Sequence, residues 1–199
     1  MGTRGVWGFR AEDIDKVTYV HTSSYPTALG KDILEYVGAR SNKKLRETAR
    51  KVVLIPPMTL TVSPQLARLF PEDDSDFEAN PSSYDEDWKH MMDSSRFMYD
   101  GLCCWAYIVN TDTNKLEVYN SNKNNGSSGR YARFSLDGNT PEPQRSYGVA
   151  LITEISFDTI RKSKGDLSAL IRQIDERSDA TFEDRGIQKF FDSLGVKSF

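Results

Sequence analysis

The chain has 199 residues, 26 basic and 29 acidic side chains, and a formal net charge of −3. This length suits a single domain over residues 1–199, which buries enough surface to fold without disulfides or a structural metal. Two adjacent cysteines are not a disulfide framework. The sequence lacks the roughly 18 consecutive apolar residues of a membrane helix. It also lacks the apolar stretch of a secretory signal peptide. We therefore expect a cytoplasmic protein with no membrane partner. Because the chain as a whole is not basic, we do not expect nucleic acid as a partner either, since that role would need a local basic patch.

The first twenty residues predict a β-hairpin. Segments Arg4–Arg10 and Lys16–His21 carry β-branched and aromatic residues, and the polar stretch Ala11–Asp15 between them is typical of a turn. Alternation places Trp7 and Phe9 on one face of the first strand and its two arginines on the other.

A loop and two helices are predicted next. Proline and glycine indicate a loop at Thr22–Gly30. The apolar face of the following helix holds Ile33, Leu34 and Val37. A basic helix is expected over Asn42–Val53, ended by the prolines that follow it.

An acidic surface insert is predicted at residues 71–87, which hold eight acidic side chains and two prolines. Its spacing is a poor match to a calcium loop, because Ala79 replaces the required glycine and Asp85 replaces the closing glutamate. We therefore predict no metal and no cofactor. A short helix is expected at Trp88–Met92.

A second hairpin is the clearest element of the sequence. The apolar run Leu102–Val109 predicts a buried central strand, and Leu116–Tyr119 predicts the strand that returns beside it. The Asn-, Ser- and Gly-rich stretch Asn120–Gly129 favours a flexible loop. A short strand is expected at Arg130–Phe134 and, after a loop at 137–146, a further buried strand at Tyr147–Ile155.

The C-terminal part is predicted to be helical. Ser163 and Asp166 have the spacing of a capping box, and four apolar residues follow at helical spacing: Leu167, Leu170, Ile171 and Ile174. A second such pattern begins at Thr181. Because strands and helices are segregated, the sequence predicts an α+β fold with a mainly antiparallel sheet covered by helices.

The opening Met1–Arg4, the loop residues Tyr25, Pro26 and Gly30, and the segment Trp105–Asn110 together resemble a group of uncharacterised bacterial and phage proteins. Those proteins also begin Met-Gly-Thr-Arg and carry a Tyr-Pro loop before the first helix. The resemblance covers about a third of the chain.

This chain departs from that group within the loop. The group has aspartate at the position of Ser23 and glycine at the positions of Ser24 and Ala28. The resemblance implies a bacterial or phage-infected bacterial cytoplasm and no established activity, and the missing aspartate argues against a carboxylate-based mechanism.

A hairpin at the start of the chain is also similar to the N-terminal nucleophile hydrolases, which have an αββα sandwich. Those enzymes need a Cys, Ser or Thr as their first residue, so that its free amine acts as the base. Here removal of Met1 leaves Gly2, and Thr3 serves only if Gly2 is removed as well.

The seam between the first strand and the Thr22–Gly30 loop is the best candidate for a ligand site. Arginines bind anions bidentately, and backbone N–H groups at a helix start attract negative charge. The predicted ligand-binding residues are Arg4, Arg10, His21, Ser23, Ser24 and Tyr25. The alternative is that the hydroxyls cap the helix, the tyrosine packs and the arginines are solvated.

Two other patterns have structural explanations beside the functional ones. A His21–Ser23 or His21–Ser24 pair has the chemistry of a base and a nucleophile, but no orienting acid is identifiable. Neighbouring side chains on a strand point to opposite faces, so Cys103 and Cys104 are expected to be structural rather than joint metal ligands.

The basic helix is the candidate surface for a protein partner. Its cations have only Glu47 as an opposing charge, and the predicted contact residues are Lys43, Lys44, Arg46 and Arg50. A solvated face, or docking on the acidic insert, explains the same charges.

Three function hypotheses follow. The first is a module that binds a small anionic, nucleotide-like ligand without catalysis. The second is a phage accessory protein that binds and modulates a host protein. The third is an amide hydrolase with an N-terminal-nucleophile-like scaffold. We favour the first, because no nucleophile–base–orienter set can be assembled from the residues.

Overall fold

The fold is described from a computed structural model, in residues 3–56, 90–99, 102–121, 129–131 and 148–178. The strands in these ranges are β1 Gly5–Ala11, β2 Ile14–Val20, β3 Val53–Ile55, β4 His90–Met92, β5 Trp105–Asn110, β6 Lys115–Asn120 and β7 Ala150–Ser156. The helices are α1 Lys31–Gly38, α2 Asn42–Lys51, α3 Phe157–Lys162 and α4, helical over 168–178. A π-helical turn, Pro26–Gly30, leads directly into α1, and a 3-10 segment occupies Ser95–Tyr99.

Five strands form the main sheet, in the order β2-β1-β5-β6-β7. Every neighbouring pair is antiparallel except β1 and β5, which run parallel and so join the two hairpins. The predicted α+β fold with a mainly antiparallel sheet is therefore confirmed. The other sheet in the described ranges has only the two parallel strands β3 and β4, so an αββα sandwich is not seen there.

Each face of the main sheet carries its own apolar cluster. Trp7 and Phe9 pack with α1, α2, α3 and α4, and their rings meet Tyr36 edge-to-face at centroid distances of 6.3 and 6.1 Å. Val6 belongs to the opposite cluster, which includes Met98 of the 3-10 segment. We call the side with Trp7 and Phe9 the helix face and the side with Val6 the open face. The predicted alternation along β1 is thus confirmed.

The β1–β2 turn is two residues long. Glu12 and Asp13 have φ of 55° and 62°, the left-handed backbone that a type I′ hairpin turn needs. The Asp112 carboxylate of the β5–β6 turn accepts both of their N–H groups, at 2.9 and 3.1 Å. These bonds, together with the Arg10 guanidinium, outweigh desolvation and lower the pKa of Asp112. The two hairpin turns are therefore tied together.

Helix α2 is shorter than predicted. It ends at Lys51, and Val53 begins β3 instead of closing the helix, so the prediction of helix to Val53 is wrong. The ammonium of Lys16 accounts for this end, because its Nζ donates to the carbonyls of Ala49, Arg50 and Val52 at 2.8, 3.2 and 2.6 Å.

The predicted helix at Trp88–Met92 is wrong over its described residues, because His90–Met92 forms strand β4. Its residues pair with Val53–Ile55, far away in sequence. Arg130 and Tyr131 lie in a turn rather than in the predicted strand. Local pattern alone does not carry information about such distant pairing.

The capping box at Ser163 is also wrong. Ser163 ends α3, and Asp166 Oδ1 instead accepts the Ser168 N–H at the start of α4. The apolar stripe of α4 is confirmed, since Leu167, Leu170 and Ile174 are buried. No helix in the described ranges is both long and apolar enough to cross a membrane.

Several predictions lie outside the described residues. They are the acidic insert at 71–87, the loop interior at 122–128, the strand residues 132–134 and the helix that follows Thr181.

Candidate functional site

The β1–β2 register brings Arg4 and His21 to the same end of the sheet. Gly5 and Val20 form the last pair of the two strands, and Arg4 and His21 are the residues one step beyond this pair. Both side chains are exposed. They share the open face with Val6 and Tyr19, because alternate residues of a strand point to the same side.

The His21 ring is oriented by Tyr19. The Tyr19 hydroxyl and His21 Nδ1 are 3.1 Å apart, and their rings meet edge-to-face at 6.0 Å. When the hydroxyl donates to Nδ1, the proton of neutral imidazole is on Nε2, which then becomes a donor. Tyr19 in turn packs edge-to-face on Phe97, at 4.8 Å between centroids. The sequence reasoning missed Tyr19 and Phe97, although the i, i+2 spacing of Tyr19 and His21 was a usable signal.

Ser24 lies on the other side of the sheet. A Cβ on Gly5 would be 2.5 Å from the Ser24 Cβ, and Gly5 shares its side with Trp7 on the helix face. The Tyr107 hydroxyl donates to the Ser24 carbonyl at 3.0 Å, also on that face. Ser24 is fully buried, and its hydroxyl has no hydrogen-bond partner among the described residues. The sheet therefore separates Ser24 from His21, which argues against a base–nucleophile pair of these two.

Backbone N–H groups of the loop before α1 donate to carbonyl oxygens of the same loop. The N–H groups of Ala28 and Gly30 donate to the Tyr25 carbonyl at 3.0 and 3.2 Å, and that of Leu29 donates to the Ser23 carbonyl at 3.2 Å. Ser23 is exposed, with a φ of 59°. These internal bonds leave those three N–H groups unavailable to an anion. The side chains of Ser23 and of the 52 % exposed Tyr25 remain accessible.

Arg10 is not part of this group, contrary to the predicted gathering of both arginines. It is near the other end of β1, about 20 Å from Arg4 along an extended strand. Its guanidinium binds Asp13 at 2.7 Å and Asp15 at 3.1 Å.

Asp15 also belongs to a half-buried ionic network with Arg130 and Glu117. Arg130 donates to the two oxygens of Glu117 at 2.9 and 2.6 Å and to Asp15 at 3.1 Å. Asn110 and the Tyr119 hydroxyl add hydrogen bonds to Glu117 at 2.7 and 2.8 Å. Burial acts to raise the pKa of Glu117, but these hydrogen bonds outweigh it and lower the pKa. With Arg10 included, two arginines face buried Glu117 and half-buried Asp15, so the charges of these four residues balance.

Two cations of the basic helix α2 bind other groups of the same chain. Arg46 donates to the Thr111 carbonyl at 3.1 Å, and Arg50 binds Glu12 at 2.9 Å. Lys43 is within 4.0 Å of Glu47, and Lys44 is half-buried. Arg50 thus contacts the β1–β2 turn.

The two cysteines belong to opposite faces of the sheet, as the alternation of neighbouring side chains predicts, but only one of them is buried. Cys103 is buried in the open-face cluster, and half-buried Cys104 packs against the helix-face cluster. In the part of the chain that the structure describes, no group of three or more His, Cys, Asp or Glu side chains is placed to hold a metal.

A groove was not foreseen from the sequence. It has a volume of about 580 Å³ and lies between the Pro26–Gly30 turn with α1 on one side and residues 164–175 on the other. Of the predicted loop, Thr27 lines it, whereas none of the six predicted ligand-binding residues does.

Comparison of the chain with protein-family models, with curated proteins and with solved structures found no match in any of the three.

Proposed function

We propose that the protein binds a small anionic ligand, without catalysis, through Arg4 and His21 at the end of the β1–β2 hairpin. The observation that carries this proposal is the register, in which the exposed residues Arg4 and His21 lie directly next to the last pair, Gly5 and Val20, at one end of the hairpin. A guanidinium binds carboxylate or phosphate through two parallel hydrogen bonds, and an imidazole Nε2–H adds a third.

The surroundings of this pair support an anion that also carries an aromatic group, such as a nucleotide. Tyr19 and Phe97 lie beside His21 on the same face. Aromatic side chains next to cationic groups are a common way to hold a nucleobase beside its phosphate. Arg4 is exposed and has no ion pair among the described residues.

The geometry gives no support to a nucleophilic mechanism. Within the described residues, the hydrogen-bond partner of the His21 ring is the Tyr19 hydroxyl, and buried Ser24 lies across the sheet. A base needs its nucleophile within about 3.2 Å, or one water away. Binding without turnover is therefore the better proposal.

Calorimetric titration of the full chain with adenosine and guanosine mono-, di- and triphosphates and cyclic nucleotides tests this proposal. We expect saturable binding of at least one nucleotide. Arg4→Ala is expected to weaken it at least tenfold, about 1.4 kcal/mol, because the bidentate contact is lost. Lys51→Ala, which removes one exposed positive charge from α2, is the matched control and should leave the affinity unchanged.

Two outcomes would contradict the proposal. Unchanged affinity in Arg4→Ala, or no binding by any nucleotide, rules out this site as the ligand site. Mass spectrometry of the titrated compound completes the test, since consumption of the nucleotide would show that the protein is an enzyme.

A further inference from the structure

The side chain of Tyr19 connects the candidate anion site to the rest of the open face. Its hydroxyl and His21 Nδ1 are 3.1 Å apart, and the two rings meet edge-to-face at 6.0 Å. Tyr19 is half-buried, and Phe97 packs edge-to-face on it with 4.8 Å between centroids. His21 is exposed, and within the described residues Tyr19 is the side chain that bonds to its ring.

The 3-10 segment that carries Phe97 is itself anchored on the open face. Just before it, the Ser94 N–H donates to the Val17 carbonyl of β2 at 3.0 Å. Met98 inside the segment is 1 % exposed and belongs to the open-face cluster. A fixed element therefore supports Phe97, which packs on Tyr19, which in turn holds the His21 ring.

A tyrosine hydroxyl can bond to the His21 ring in both of its charge states. A hydroxyl is a donor and an acceptor at once, whereas each nitrogen of a neutral imidazole is only one of the two. Toward the neutral ring the hydroxyl donates to Nδ1, and the ring proton then lies on Nε2. Toward the charged ring the same hydroxyl accepts the Nδ1–H. In both states Nδ1 faces Tyr19, and an Nε2–H remains a donor on the far side of the ring.

The charged groups of the elements around the ring are basic. Arg4 of β1 and Arg96 of the 3-10 segment are exposed, and the neighbouring titratable groups are Tyr19 of β2 and Tyr25 of the next loop. No ion pair between His21 and an acid occurs within the described residues. An opposite charge nearby favours the charged form of a histidine. An anion bound by Arg4 and His21 would therefore promote proton uptake by the ring, and the ring's charge would strengthen anion binding in return.

We propose that Tyr19 is a positioning residue of the anion site, which keeps the Nε2–H of His21 directed at the ligand in both charge states of the ring. This inference rests on the proposed site at Arg4 and His21. The neutral ring supplies a hydrogen bond, and the charged ring adds an electrostatic attraction to it. The site thus binds an oxyanion, such as sulfate or a phosphate ester, at neutral pH and more tightly in mild acid.

The ring nitrogens of His21 report on Tyr19 without any ligand. Two-bond ¹H–¹⁵N NMR spectra of the full chain show which nitrogen of the neutral ring carries the proton. We expect the proton on Nε2, with Nδ1 accepting from Tyr19. A proton on Nδ1 would overturn the proposal, because Nε2 would then have no hydrogen to donate to an anion.

NMR titration of the full chain with sodium sulfate, at constant ionic strength, tests the pH dependence. Histidines usually change charge between about pH 5.5 and about pH 8, whereas sulfate keeps its charge over this range. We expect saturable binding at both ends of the range and about fivefold tighter binding at the acidic end, the effect of one added charge at an exposed site. Equal affinity at the two pH values, or no saturable sulfate binding, contradicts the proposal.

Tyr19→Phe separates positioning from packing, because it keeps the ring contacts and removes only the hydroxyl. At the alkaline end it should weaken sulfate binding about threefold or more, since the neutral ring is no longer held with its one N–H toward the anion. The loss should be smaller at the acidic end, because the charged ring has an N–H on both nitrogens. No loss, or the same loss at both pH values, would refute the positioning role. Tyr36→Phe, on the helix face, is the matched control and should leave the affinity unchanged.

Two further variants distinguish this inference from the proposed function. Arg4→Ala should weaken sulfate binding at both pH values, and unchanged affinity would mean that the proposed site itself is wrong. His21→Gln keeps an N–H donor that does not titrate, so its sulfate affinity should no longer depend on pH. If Arg4→Ala weakens binding and Tyr19→Phe does not, the anion site stands and the role of Tyr19 is refuted.

Discussion

Lys16 acts at the scale of a single residue to end a helix. Its ammonium donates to three carbonyl oxygens at the C-terminus of α2, where the helix dipole is negative. The half-buried side chain reaches there from β2, so one lysine connects the first hairpin to the second helix. Such a contact depends on tertiary structure, and the sequence alone did not reveal it.

Replacing Lys16 with methionine keeps the apolar stem and removes the three hydrogen bonds. We expect Lys16→Met to lower the free energy of unfolding by about 2 kcal/mol, as is usual for hydrogen bonds made by a charged group. Urea denaturation measures the change. Lys51→Met, at an exposed position of the same helix, should stay within about 0.5 kcal/mol, and a similar loss in both variants would contradict the argument.

Glu117 is the most buried acid of the ionic network, with 4 % of its side chain exposed. Its pKa in the folded protein is lowered, because the hydrogen bonds from Arg130, Asn110 and Tyr119 outweigh the effect of burial. A carboxyl with a lowered folded-state pKa stabilises the fold above the pKa of the unfolded chain, and that stability is lost as the pH falls through the folded value.

Glu117→Gln should therefore destabilise the protein by about 3 kcal/mol at pH 7, since it leaves Arg130 without its buried partner. Below the ordinary glutamate pKa of 4.5 the difference from the parent protein should shrink, because the parent carboxyl becomes neutral too. Urea midpoints from pH 7 down to pH 3 measure this. The exposed pair Lys115–Glu154 gives the control Glu154→Gln, which should cost less than about 1 kcal/mol. A difference that stays constant with pH would contradict this role for Glu117.

At the scale of elements, the first hairpin depends on close backbone packing at Gly8. A Cβ there would be 2.0 Å from the Lys16 carbonyl oxygen and 2.7 Å from the Val17 Cα, both of them backbone atoms that cannot rotate away. Gly5 is equally confined, since a Cβ there would be 2.6 Å from the Trp105 carbonyl oxygen, so close backbone contacts require glycine at both positions of β1.

Gly8→Ala should cost about 1–3 kcal/mol, because the β1–β2 pairing has to shift to admit the methyl group. Thermal or urea unfolding measures the loss, and faster amide exchange in β1 and β2 would locate it. Gly165→Ala is the matched substitution, since nothing lies within 4 Å of a Cβ at that position. A loss for Gly165→Ala as large as that for Gly8→Ala would contradict the packing argument, because the restricted unfolded chain of an alanine variant favours the folded state where the methyl group meets no neighbour.

Elements defined by local pattern were predicted well. Both hairpins have short turns and alternating or apolar strands, and the apolar residues of α1 and α4 repeat at helical spacing. These patterns involve residues close together in the sequence, so the sequence alone is enough to predict the elements. The strand His90–Met92 and the early end of α2 both depend on partners far away along the chain, Val53–Ile55 and Lys16.

Part of the arrangement around the candidate site follows from local sequence for the same reason. Arg4 and His21 lie at the same end of the first hairpin because the turn length fixes the hairpin register. The position of Ser24 across the sheet, the separation of Arg10 and the groove beside α4 all depend on how the loop and the helices pack. Sequence pattern does not determine those arrangements.

At the scale of the whole molecule, one parallel pairing makes two hairpins into one sheet. β1 and β5 pair from Gly5 with Trp105 to Arg10 with Asn110. Beyond this last pair, the Asp112 carboxylate accepts the N–H groups of the first turn. The core of each face is shared by residues from both halves of the chain. Stability and assembly of the sheet should therefore be cooperative across the two hairpins.

The parallel pair β3 and β4 has a consequence for the order in which this protein folds. Its strands pair Val53–Ile55 with His90–Met92, which lie far apart along the chain. The chain entropy of bringing distant residues together has to be lost before their pairing stabilises anything, so such contacts form more slowly than those of a hairpin. We therefore expect the β1–β2 and β5–β6 hairpins to form before β3 and β4 pair.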